Sequence, residues 1–70
     1  MNVSQLLTQK RQEAGLSQEA LAYRTGLSVS TIRRVEQGRR EPLAETLALI
    51  GRELGIPAEA LLEAVLPAPA

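Results

Sequence analysis

The sequence predicts an all-α protein, and three observations carry that expectation. Apolar residues recur at helical spacing in every segment, and no segment alternates with period two as a half-buried strand would. Gly15, Gly26, Gly38 and Gly55 punctuate the chain at intervals that leave room for short helices. The apolar fraction is 44% with a single aromatic residue, so the core is built from Leu, Ile, Val and Ala. Seventy residues supply one such core and not two.

Each element has local reasons. Asn2 caps a first helix over about Val3 to Ala14, with Gln5 three positions on to complete a capping box, and Val3, Leu6, Leu7 and Ala14 face inward. Gly15 ends that helix, and Leu16 turns the chain inward. Ser17 is the N-cap of a second helix over Gln18 to about Thr25. Glu19 complements the positive end of its dipole, and Leu21 and Ala22 are its buried side. Gly26 stands where the chain leaves the helix in the left-handed conformation that glycine adopts without strain. Leu27 plugs the corner, and Ser28 caps a third helix over Val29 to about Gln37 that Gly38 ends. Pro42 suits the first turn of a fourth helix, in which Leu43, Leu47, Ile50 and Leu54 form one stripe and Gly55 ends the run. A fifth helix over roughly Ala58 to Leu66 turns Leu61, Leu62 and Val65 inward, and Pro67 and Pro69 stop it. The domain therefore covers residues 1–66, with 67–70 as a disordered Pro/Ala tail or the start of a linker.

Two helices separated by a glycine corner, the second bearing Arg33 and Arg34, have the arrangement of a DNA-binding helix-turn-helix. Ile32 and Val35 form the buried stripe of the third helix and leave Val29, Ser30, Arg33 and Arg34 on other faces. Small residues in the first turn let the backbone approach base edges, and an arginine fork one turn later matches the acceptors of guanine. The formal charge is zero but unevenly placed. Residues 1–40 carry seven basic and three acidic side chains, a balance of +4, whereas residues 41–70 carry one basic and five acidic, a balance of −4. The positive half coincides with the helix pair, and the local field governs phosphate attraction.

Composition also excludes. The chain has no His, no Cys and no Asp, so the usual general bases, thiol nucleophiles and nitrogen metal ligands are missing; no catalytic residue, metal site or cofactor is expected. Without cysteines there is no disulfide framework, and no apolar run reaches membrane-spanning length. A soluble, cytoplasmic protein without membrane contact is the expectation.

Arg11, Gly15-Leu16-Ser17-Gln18, Leu21-Ala22, Gly26, Ser28, Ile32, Val35-Glu36, Gly38, Pro42 and the run from Glu45-Thr46-Leu47 to Leu54-Gly55-Ile56 resemble the XRE-like family, the helix-turn-helix domain of lambdoid phage repressors and Cro. The resemblance covers about residues 3–66. It implies a five-helix lambda-repressor-like domain and a sequence-specific regulator, a repressor or autoregulator that places its third helix in the major groove of a palindromic operator. By the same resemblance Val29, Ser30 and Arg34 reach base edges, with Thr31 and Arg33 as further candidates for bases or flanking phosphates. Gln18, Ser28, Arg39 and Arg40 match phosphate-contacting positions, and Gln18 also braces the third helix. Arg11 and Glu36 match a partly buried structural ion pair. The family usually binds as two-fold dimers. The apolar fifth helix offers the interface through Leu61, Leu62, Val65 and Leu66, and Leu49 extends the apolar surface. Some members instead act as antitoxins or interaction modules whose main ligand is a partner protein. Val29 departs from the hydrogen-bonding residue common at its position and offers only an apolar contact, for instance to a thymine methyl.

Overall fold

The structure, a computed structural model, describes residues 2–38 and 43–65. Along them run five α-helices: α1 (Val3–Glu13), α2 (Gln18–Thr25), α3 (Val29–Gln37), α4 (Ala44–Leu54) and α5 (Ala58–Val65). Side-chain caps fix the starts of α1, α2 and α3, whereas Leu43 before α4 offers none. Gln5 N–H donates to Asn2 Oδ1 at 2.9 Å and Asn2 N–H to Gln5 Oε1 at 3.2 Å, which closes the capping box of α1. Ser17 Oγ accepts from Ala20 N–H at 3.0 Å, and Ser28 Oγ from Thr31 N–H at 3.1 Å. Gly26 leaves α2 at φ 76°, ψ 11°, and Leu27 N–H then reaches back to the Ala22 carbonyl at 3.1 Å, so a tight corner joins α2 to α3.

The core draws one fully buried side chain from each of the first four helices: Leu7, Leu21, Ile32 and Ile50. Ala22, Val35 and Ile56 complete it. Each buried Leu, Ile or Val contributes roughly 1.5–3 kcal/mol, so these few contacts supply most of what orders the helices. No residue of α5 is buried. Ala60 and Leu61 hold it against the core edge, and Gly51 of α4 admits Leu61 closely, since a Cβ at Gly51 would stand 2.6 Å from Leu61 Cδ1.

Several expectations are corrected. α1 ends at Glu13, with Ala14 as its cap and exposed. α4 begins at Ala44, so Leu43 is its N-cap and is exposed; the inward stripe is Leu47, Ile50 and Leu54. Pro42 lies before that start and outside the described residues. In α5, Leu62 and Val65 are exposed, because the residues that meet the core are Ala60 and Leu61. Val29, expected away from the buried stripe of α3, packs partly against the core. For Leu43, Leu62 and Val65 periodicity marks an apolar face without showing which neighbour covers it.

Candidate nucleic-acid interface

At 3.6 residues per turn, the i, i+3, i+4 and i+7 positions of a helix share one face. On α3 these are Ser30, Arg33, Arg34 and Gln37, and all four are exposed. Ile32 and Val35 anchor the opposite side in the core. This face departs from the expected reading set at two residues. Val29 is half-buried, and Thr31 is half-buried with its hydroxyl 2.9 Å from Ser28 Oγ. Gln37 was missed, although the spacing from Ser30 marks it. Arg39, Arg40 and Leu66 fall outside the described residues.

A chain of polar contacts fixes α3 against α1 and α2. Glu36 accepts from Arg11 Nε at 2.6 Å and from Arg11 Nη2 at 3.0 Å, a side-on pair between side chains only 12% and 8% exposed. The third guanidinium nitrogen, Nη1, donates to the Leu16 carbonyl at 2.8 Å and so clamps the turn between α1 and α2. The hydrogen bond to Glu36 chiefly raises the Arg11 pKa; burial opposes it, and attraction from Glu36 and Glu19 adds to it. Glu36 Oε1 also accepts from Gln18 Nε2 at 3.1 Å, which settles the direction of that amide: its nitrogen points to the carboxylate and its oxygen outward. Arg33 Nε then donates to Gln18 Oε1 at 3.4 Å, and Arg33 Nη2 lies 3.6 Å from Glu19 Oε1. Gln18 is thus a splint between the part-buried pair and the exposed rim.

Ser28 Oγ is engaged by Thr31 N–H and Thr31 Oγ1, so its first task is the start of α3. Arg24, toward the end of α2, pairs with Glu53 of α4 at 3.5 Å. Among the described residues no group of His, Cys, Asp and Glu could hold a metal ion, and no helix is long and apolar enough to cross a membrane.

A second feature lies on the acidic half of the chain. Ala44, Leu47 and Ala48 of α4 and Ala58, Leu61, Leu62 and Val65 of α5 line an apolar groove of about 360 Å³. Leu62 is 59% exposed on its rim. Leu49 does not line it and is exposed elsewhere on α4.

A capped helix, a glycine corner and a second capped helix with one face in the core and a polar, arginine-bearing face outward define a DNA-binding helix-turn-helix domain. The family model described as Helix-turn-helix matches residues 7–61, and the chain belongs to that family, in its phage-repressor, XRE-like form. A crystal structure of a point mutant of the restriction-modification controller protein C.Esp1396I is similar to it, with a TM-score of 0.76 and 31% identity over 87% of this chain and 79% of that one. No curated protein matches the chain by sequence. The protein is a DNA-binding transcription regulator of this family.

Proposed function

We propose that the protein is a repressor or autoregulator that binds a palindromic operator as a homodimer, with α3 of each subunit in the major groove. The observation that carries this reading is the outward stripe Ser30, Arg33, Arg34 and Gln37 on a helix whose other side is locked into the core. Arg34 is the principal base reader, because its guanidinium can bond two acceptors of one guanine, and Ser30 and Gln37 add shorter polar contacts. Val29 and Thr31 contribute from the edge of this face. Gln18, Ser28, Arg39 and Arg40 position the helix against phosphates, and Arg11 and Glu36 hold it at a fixed angle.

One helix-turn-helix unit covers one half-site, so the two-fold partner must come from a second copy. The groove between α4 and α5, with Leu61, Leu62 and Val65, is the surface proposed for it. The name of the similar protein, a controller of a restriction-modification system, supports a regulatory role. The apolar groove also supports a second reading, an antitoxin or interaction module whose main ligand is another protein.

Selection of bound duplexes from a random pool, with footprinting of the winner, tests the proposal. The expected result is a palindrome with half-sites about 34–36 Å apart centre to centre. Arg34→Ala should lose discrimination at one base position, worth roughly 1–3 kcal/mol. Binding that is absent at low salt, or that does not weaken steeply as salt rises, would sink the DNA-reading proposal and favour the protein-partner reading. A monomer in analytical ultracentrifugation at high micromolar concentration would remove the dimer.

A further inference from the structure

We infer that Glu19 is a negative determinant of DNA affinity: its carboxylate occupies the Arg33 guanidinium and withholds it from phosphate. The inference rests on the DNA-reading proposal for α3. Arg33 and Arg34 stand side by side on the outward face, and two free arginines there would attract any duplex through sequence-independent contacts. Arg33 is not free. Its Nη2 lies 3.6 Å from Glu19 Oε1 and its Nε 3.4 Å from Gln18 Oε1, so two residues of α2 hold one arginine of α3 across the corner.

The side chains of the pair are 53% and 67% exposed. Such a pair contributes little to folding, since solvent screens it and ordering two long side chains opposes it. Its effect on DNA is of another kind. A phosphate that takes Arg33 must displace the carboxylate and then tolerate it as a like-charged neighbour. Glu19 therefore acts as an internal competitor, and the positive half of the chain presents fewer phosphate-ready cations than its composition suggests.

An ordinary structural role makes the opposite prediction. Glu19 sits in the first turn of α2, where a carboxylate favours the helix dipole. If that were its whole contribution, Glu19→Gln would leave DNA affinity unchanged or lower it. If it masks Arg33, Glu19→Gln adds about one phosphate contact per subunit. The slope of log K against log salt then steepens by about 0.9, and non-specific duplex is bound about eightfold more tightly per subunit at 0.1 M salt.

The experiment titrates a fluorescent random-sequence duplex with the full chain, as Glu19→Gln, Arg33→Gln and the double variant beside the unaltered protein, over a salt series. The expected result is a gain for Glu19→Gln that disappears when Arg33→Gln is also present. No gain for Glu19→Gln, or an equal gain with and without Arg33, overturns the inference; the second outcome would make Glu19 a general negative charge and not a mask. Loss of binding by every variant and by the unaltered protein at low salt would instead refute the DNA reading on which it rests, and the inference with it. Helical signal in far-UV circular dichroism checks that each variant is folded.

Discussion

Replacing one member of the Arg11–Glu36 pair should remove a large share of the stability of this domain. In Glu36→Leu the guanidinium of Arg11 keeps its bond to the Leu16 carbonyl but loses both bonds to the carboxylate, at a site where only 12% of its side chain meets water. Gln18 Nε2 loses its acceptor in the same step. Breaking a buried pair from one side costs roughly 3–5 kcal/mol. The lower end is expected here, because the pair is part-buried and Arg11 retains the Leu16 contact. A 70-residue domain at 0.05–0.15 kcal/mol per residue has about 3.5–10 kcal/mol in all, so the single variant approaches the unfolding threshold. A loss of about 3 kcal/mol lowers Tm by roughly 12–24 °C in a domain of this size. Urea denaturation followed by circular dichroism at 222 nm measures it. Arg11→Met should be similarly damaging, whereas the double variant Arg11→Met/Glu36→Leu should recover most of the loss, since two apolar side chains strand no charge. A loss below about 1 kcal/mol for Glu36→Leu, or a double variant equal to the sum of the singles, would refute the reasoning.

Further outcomes follow from the same structure. Gly26→Ala should destabilise by about 1–2 kcal/mol through backbone conformation alone, because φ is 76° and a Cβ there meets nothing within 4 Å; Gly26→Asn should be milder, and thermal melts rank the two. Gly51→Val should lose roughly 1–3 kcal/mol by pushing Leu61 away, and a denaturation midpoint equal to that of the unaltered chain would show that α5 yields freely. Tyr23→Ala should change stability by less than about 0.5 kcal/mol, since Tyr23 is 90% exposed; a larger shift in the urea midpoint would mean that the ring has a partner. The raised pKa of Arg11 adds stability that is complete below the ordinary arginine range and lost only as pH climbs through the higher folded value. A urea midpoint that falls between pH 7 and pH 9 therefore has another source.

What the sequence made legible was local. Asn2 with Gln5, Ser17, Ser28 and Gly26 act within three or four residues of themselves, and caps of that reach are written in spacing. The ion pair was of another order. Arg11 and Glu36 lie 25 positions apart, and no periodicity links them; the family resemblance supplied that expectation. Spacing places Leu43 and Leu62 inward, yet both are exposed, because apolar spacing names a face while the crossing of helices decides whether anything lies over it. Gln37 completes the stripe of Ser30, Arg33 and Arg34 at a spacing the sequence itself contains. The contact of Glu19 with Arg33 spans the corner between helices, so a residue read only as a dipole partner acquired a second neighbour once α2 and α3 were folded together.

Helix α3 is closed at both ends by its flanking residues, Ser28 before it and Gly38 after it, and is bolted down by Ile32 and Val35. Among the described residues the side chains of Ser30, Arg34 and Gln37 make no hydrogen bond or ion pair to the rest of the domain. These three letters can therefore be rewritten without asking the scaffold to refold. Under the proposed DNA reading, regulator and operator can drift together through single substitutions, each intermediate still a stable protein, and an engineer can exchange the same three positions as a cassette. Arg33 alone is outside this freedom, because any exchange there also releases Glu19.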